Sequence, residues 1–411
     1  MSSAQRTPAV FAALFLFCTL LMRGPITAIG PIAQDVRSAF DISYEAYGLL
    51  TAIPIAVFGL FSFAGPWVAK RFGLIPSIGI AVSLVALGAG LRLTSSWPML
   101  LAATVVLGVG IALMNVYMTV AVKGFWAREL GTMMGIYTGV IGLSGAIGGL
   151  TAVPLSRAGG GVWATMLFWC AAALVGAVLW WASSGRAKRL YEAQQMQNKR
   201  LLAEASEAAG DSNARTRASL GAMAREPLAW AITGVMGLQS LLIYTVSAWM
   251  PPYWVSAGMD AAATGAWLSV YLVSGLPASL LTARFIDRCG GEFRAEAVIA
   301  AAYLAGLLLW VLGSQSAAAL FVGSVLAGAS QGSMLSVSFL LMSRKTRTSA
   351  EMLAVNALAQ GAGYLFAGFG PLLFGALYAS SGSWRPPFVF AAAMIVAWGA
   401  AGWLASRRNA F

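Results

Sequence analysis

In the stretch FLFCTLLMRGPITAIGPIAQDV, residues 15–36, one arginine, Arg23, interrupts a run of apolar residues. A guanidinium stays charged at any physiological pH and presents a planar fork of donors, which suits it to grip an oxyanion or a small linear anion. In hydrocarbon such a charge costs several kcal/mol or more, so it needs a reason to be there. The apolar segment runs over 8–35 and puts Arg23 about 12–15 residues from either end, roughly 18 Å or more at 1.5 Å per residue. A side chain cannot snorkel that far. No Asp or Glu falls in the middle of any apolar segment; Asp35 and Glu45, the nearest in depth, belong to segment ends. Three readings stay open: a cation facing an aqueous cavity, where an anionic ligand supplies the missing charge; a cation held by backbone carbonyls and polar side chains; or a segment drawn in the wrong place.

The other polar groups at comparable depth are Asn115, Tyr117, Tyr137, Gln239, Tyr244, Tyr271, Gln331, Gln360 and Tyr364. Each could hydrogen-bond an anion, and each could equally join two helices. Three cysteines (Cys18, Cys170, Cys289) and the absence of histidine leave no metal-ligand constellation, no nucleophile–base pair and no disulfide framework. Neither an enzyme nor a bound metal or cofactor is therefore expected. Cys18 and Cys170 read as packing residues, and Cys289 lies in a short polar loop.

The elements that would hold these groups are long apolar helices. The chain has 411 residues, 59% hydrophobic and 10% charged, where soluble domains carry about 25% charged residues. Stretches of about 20 apolar residues recur throughout, each enough to cross a bilayer. Twelve are predicted, over 8–35, 44–69, 75–94, 98–123, 130–156, 161–184, 227–255, 262–286, 295–314, 317–343, 350–379 and 385–406: an all-α, multi-pass membrane protein. Its beginning, MSSAQRTPAVF, lacks a cleavable signal pattern. The formal charge of +12 sits in the short loops, which argues for membrane topology and against nucleic acid. Twenty-one of the 26 Lys and Arg residues fall on the side that holds both termini, against Arg37, Arg92, Arg157 and Arg385 on the other. That places the termini in the cytoplasm and the protein in the inner membrane.

The largest polar interruption spans 183–227 and divides the chain into six helices (1–184), a cytoplasmic linker (185–226) and six more helices (227–411). Helix formers fill the first part of the linker, GDSN (210–213) ends them, and the whole reads as a tether. Helix starts carry caps: Asp41 and Ser43, Asp260, and a capping box from Thr348 to Glu351. Glu45 lies in a first helical turn and Pro227 at a first helical position. Trp249, Trp254 and Trp384 read as interfacial anchors.

The two halves echo each other. GPWVAKRFG (65–73) answers TARFIDRCG (282–290), and AIGPI in the first span answers AWMPPYW in the seventh. The latter pairing sets Ile243 and Tyr244 opposite Met22 to Gly24, so charge comes from the first half and hydrogen-bonding groups from the second. With these motifs the chain resembles the Major Facilitator Superfamily over nearly its whole length. The superfamily's loop signature after span two matches Asp287, Arg288 and Gly290 in the second copy. In the first copy it matches Arg71 and Gly73, with Lys70 where an aspartate is expected. Within the superfamily the chain is similar to the cyanate and 2-nitroimidazole transporter group, through RGPITAIGPI (23–32), LLTAIPI (49–55), GLSGAIGG (142–149), SAWMPPYWVSAGMDAAATGAWLS (247–269) and GAGYLFAGFGP (361–371).

The resemblance implies a twelve-helix, pseudo-symmetric bundle with substrate between the halves, working as a monomer on a small anion such as cyanate. Export of nitroimidazole-like aromatics is the alternative, and a non-transporting sensor is the alternative of another class. Asn115, Tyr117, Tyr244 and Gln360 are the foremost candidate partners of Arg23. With no histidine and no acid at mid-span, no proton coupling is expected.

Overall fold

The computed structural model describes residues 9–42, 44–209, 219–259, 261–313, 316–408 and 410, and these contain helices and no strand. Arg6, Ser43, Asp260, the GDSN stretch, Arg215 and Arg217 lie outside the described residues, as do the side chains of Glu45, Arg128, Lys199 and Arg200.

The first predicted span, 8–35, is not one helix. It forms α1 (Ala9–Leu20), α2 (Gly24–Thr27) and α3 (Ala33–Phe40). Pro25 and Pro31 lack the N–H that would continue the helical ladder, and the chain breaks before each. Asp41 ends α3 in a left-handed conformation, φ 49°. The chain continues as α4 (Tyr44–Ser62), α5 (Gly65–Phe72), α6 (Leu74–Leu91), α7 (Trp97–Phe125), α8 (Leu130–Leu155) and α9 (Gly161–Ala209). A 54° bend separates the end of α4 from α5.

The second half holds α10 (Leu220–Met223), α11 (Pro227–Ser256), α12 (Ala261–Arg288), α13 (Glu292–Leu312), α14 (Ala317–Arg344), α15 (Ser349–Ala367), α16 (Phe369–Ser381) and α17 (Arg385–Ser406). The capping box forms at α15: Thr348 accepts from the Glu351 N–H, and Glu351 accepts from the Thr348 N–H. Pro227 begins α11.

Among the described residues ten helical runs are long and apolar enough to cross a membrane, and the bent α4–α5 pair makes an eleventh. One of the ten, Leu130–Met196, has 67 residues, about 100 Å of helix against a hydrocarbon core of about 30 Å. Gly159, at φ 107°, interrupts it between α8 and α9, which pack on each other. It therefore crosses twice, and the count is twelve.

Within the first half α6 packs on α7 and α9; within the second, α13 packs on α14 and α17, and α11 on α15. The halves meet where α4 touches α15 and where α8 touches α12 and α14. At the α8–α12 seam a Cβ on Gly135 would stand 3.0 Å from the carbonyl oxygens of Ser279 and Leu280. A side chain there would have to push the α12 backbone back by a few tenths of an ångström.

The two basic turns differ. In the second copy Asp287 lies 3.5 Å from Arg344, which also reaches Glu292 at 3.6 Å, and Gly290 takes φ 73°. In the first copy Gly73 takes φ 84°, while Lys70 and Arg71 are exposed and join none of the ion pairs among the described residues.

Candidate substrate site

The break after α1 leaves backbone groups that an intact helix would have satisfied. Ser144, on α8, takes up three of them. Its Oγ accepts from the N–H groups of Arg23 (3.2 Å) and Gly24 (2.7 Å) and donates to the Leu20 carbonyl. Thr27 donates to the Gly145 carbonyl at 3.0 Å. Gly148 admits this contact, since a Cβ there would meet Thr27 Oγ1 at 2.3 Å and the Gly24 carbonyl oxygen at 2.5 Å. The glycine-rich stretch 142–149 is thus the bed on which the broken helix lies.

Arg23 sits at the break, half-buried. Its Nη1 donates to the Tyr244 hydroxyl at 3.0 Å. Its guanidinium carbon lies 5.9 Å from the Phe58 ring centre and 5.8 Å from that of Tyr244, within range of cation–π attraction. Tyr364 packs behind these two rings, 5.5 Å from Phe58 and 6.4 Å from Tyr244. Tyr137, fully buried, points its hydroxyl at Met22 Sδ, 3.9 Å away. None of the ion pairs among the described residues includes Arg23.

The remaining candidates lie elsewhere. Tyr117 donates to the Gly65 carbonyl at 3.0 Å and so braces the α4–α5 bend. Gln239 and Gln331 belong to a network inside the second half: the Gln331 amide donates to Gln239, and its carbonyl accepts from Tyr303 (3.2 Å) and Tyr271 (3.4 Å). Gln360 donates to the Asn115 carbonyl and to Asn356 Oδ1, each at 2.8 Å, and Asn356 donates to the Val116 carbonyl at 2.8 Å and to Thr119. Gln360 thereby joins the halves through the Asn115 backbone, while the Asn115 side-chain Nδ2 and the Gln360 Oε1 are buried with no partner.

Those bonds are part of a closure at the basic ends of the helices. Lys123 donates to Ser343 (2.9 Å) and to Thr346, the Thr138 and Ser336 hydroxyls meet at 2.8 Å, and Gln195 donates to Ser349 at 2.7 Å. The Arg23–Tyr244 bond lies farther from the basic end than any of these. One turn from Arg23 toward that end, Cys18 and Thr19 are fully buried, whereas Thr27 and Gly30 on the other side are partly open or exposed. On α11, Gln239 and Ser240 are buried while Ile243, Tyr244 and Ser247 are partly open. Around Arg23 and Tyr244 the neighbours toward the basic end are buried, and several toward the opposite end are partly open.

Sequence reasoning missed three side chains. Ser144 carried a signal, as the one hydroxyl in the glycine-rich stretch. Arg92, counted among the charges of the less basic side, is 4% exposed and donates to the Pro25 carbonyl at 2.7 Å and to Thr104 at 3.1 Å. Glu296 is fully buried beside Gly402, with no hydrogen-bond partner for either oxygen. It lies near the end of its span, as expected of the acids, yet it is turned inward rather than toward water.

Twelve crossings in two halves that meet at Arg23 and Tyr244 are the architecture of a membrane carrier. The family model of the Major Facilitator Superfamily matches residues 15–363 and 256–410; the chain belongs to that family. It is 28% identical to an uncharacterized transporter, YycB, of Bacillus subtilis over 95% of this chain and 92% of that one. It is 26% identical to the 2-nitroimidazole transporter of Escherichia coli over 94% and 92%, and 24% identical to the cyanate transport protein CynX of the same organism over 92% of each. Among solved structures it superposes on the proton:xylose symporter XylE with a TM-score of 0.72 at 15% identity, covering 96% of this chain and 93% of that one.

Proposed function

We propose that this carrier moves a small anion, cyanate-like or a related inorganic or carboxylate anion, with Arg23 as the binding cation. One observation carries the reading: a half-buried guanidinium that, among the described residues, joins no ion pair and whose side-chain hydrogen bonds go to the phenols of Tyr244 and Tyr364. An anion at Arg23 adds the charge the protein withholds, and the planar fork gives it two parallel hydrogen bonds. Tyr244 and Tyr364 supply further contacts, and Tyr137 backs them. The relatives named for cyanate and 2-nitroimidazole transport are consistent with small ligands of this size.

The basic end is taken as cytoplasmic by the positive-inside rule, with both termini there, the protein in the inner membrane and monomeric, and the halves at 1–184 and 227–411 moving about the linker 185–226. A second reading, export of flat nitroimidazole-like aromatics, is favoured by the rings of Phe58, Tyr244 and Tyr364 around the cation. Uptake of labelled cyanate, formate and nitroimidazole into proteoliposomes tests both. Saturable uptake of the anions that is lost in Arg23→Ala supports the first reading. Uptake of the neutral aromatic alone supports the second, and uptake of neither leaves a sensor.

A further inference from the structure

Arg92 carries a second charge that the transport reading does not use. It lies at the end of α6, 4% exposed, and its two hydrogen bonds go to neutral groups, the Pro25 carbonyl and the Thr104 hydroxyl. Its Nε–H, also buried, has no partner. The ion pairs among the described residues join Lys188 to Glu192, and Arg344 and Lys345 to Asp287 and Glu292; none reaches Arg92. A buried charge without a counter-charge is among the costliest arrangements a protein can hold.

Beside this guanidinium is a small cavity walled by Pro25, Ile29, Leu107, Thr165 and Trp169, with space for about one water-sized body. A second donor in its wall is also unsatisfied: the Trp169 Nε1–H is buried with no partner. Thr165 directs its hydroxyl away, to the Ala152 carbonyl at 2.9 Å. Arginine and the indole nitrogen can only donate, so the cavity calls for an acceptor. A water would accept both hydrogen bonds and leave the charge uncancelled. A monatomic anion of similar size accepts both and cancels it.

We propose that this cavity between α2, α6, α7 and α9 binds a small monovalent anion of halide size, held by Arg92 and Trp169. The site is separate from that at Arg23. It is joined to it through Pro25, whose carbonyl Arg92 holds two residues beyond Arg23, and through the Trp169 ring, which covers Gly24 so closely that a Cβ there would lie 2.0 Å from it. An anion in the cavity thus steadies the broken helix that presents Arg23.

The test uses purified full-length protein carrying Arg23→Gln, so that anions at that position do not contribute. Thermal unfolding is followed in sodium gluconate as chloride or bromide replaces gluconate at constant ionic strength. A saturable rise in unfolding temperature is expected, lost on adding Arg92→Gln. Trp169→Phe removes a single donor and should raise the half-saturating bromide concentration about tenfold; it decides the matter alone should Arg92→Gln fail to fold. No saturable halide effect in the Arg23→Gln protein, or one that Trp169→Phe leaves unchanged, overturns the proposal. Neither result bears on anion transport through Arg23, which is read separately by uptake.

Discussion

Arg23 and Tyr244 come from opposite halves of the molecule and meet at 3.0 Å, guanidinium nitrogen to phenolic oxygen. The charge belongs to one half and the acceptor to the other. An anion that reaches Arg23 therefore engages a group already bonded across the seam, so binding and the relative position of the halves are linked at one atom pair.

Replacing Arg23 tests the cation directly. Arg23→Ala is expected to reach the membrane at the wild-type level, because removing a partly buried charge relieves its desolvation cost. Anion affinity should fall about a hundredfold or more, the loss of two charge-assisted hydrogen bonds. Arg23→Lys, a point charge in place of a fork, should fall between the two. Half-saturation of uptake measures both. An Ala variant that inserts poorly yet binds anion normally in detergent would make Arg23 structural.

Tyr244→Phe keeps the ring beside Arg23 and removes its hydroxyl. The anion should bind about tenfold more weakly, as expected for one hydrogen bond to a charged group. Equal affinity in the two proteins would mean that the phenol serves only to satisfy Arg23 when no anion is bound.

Ser144→Ala should destabilise the protein by about 2 kcal/mol or more, since three backbone groups of the helix break lose their partner together. The unfolding temperature and the uptake rate should fall in parallel. An unchanged unfolding temperature would show that water replaces the hydroxyl at the break.

The closure at the basic end should yield to Lys123→Ala, which removes donation to Ser343 and Thr346. With the native cysteines replaced by serine, a cysteine introduced by Asn115→Cys should react several-fold faster with an impermeant thiol reagent applied from the basic side. Equal rates with and without the Lys123 change would assign the closure to the α8–α12 packing instead.

Transport is expected to move the charge of the substrate alone, or none in anion exchange, because among the described residues no carboxylate pairs with Arg23, which keeps its proton. Asp35 accepts from Ser156 at 2.8 Å, and Glu296 packs against α17, away from Arg23. Proteoliposomes with an imposed pH gradient and the membrane potential held at zero should show no uphill accumulation. Accumulation abolished by Glu296→Gln or Asp35→Asn would overturn this expectation.

The spans were legible because apolar runs of about 20 residues have few alternatives to a membrane helix. The breaks at 21–23 and 28–32 were marked by Pro25 and Pro31, yet apolar composition on either side concealed them. Site residues were harder to read. Gln360, Gln239 and Gln331 share the amide chemistry that binds ligands, and nothing in their sequence distinguishes a partner on a neighbouring helix from a ligand. Arg92 shows the same limit from the other direction. At a segment end a charge normally reaches water, and only the fold, by laying Pro25 and Thr104 beside it, turned it inward.

The long helix α9 does more than trail from its membrane span. It runs without a break from Gly161 to Ala209, and Gln195 on it bonds Ser349 of the other half. A helix has a phase: each residue removed turns everything beyond it by about 100° and draws it in by 1.5 Å. Deletions ahead of Gln195 should therefore act periodically rather than by length. Removing seven residues, close to two full turns, would return Gln195 to nearly its original heading, whereas removing five would swing it to the far side. As far as Ala209 the connection is geared, and the register of α9 sets whether Gln195 meets Ser349.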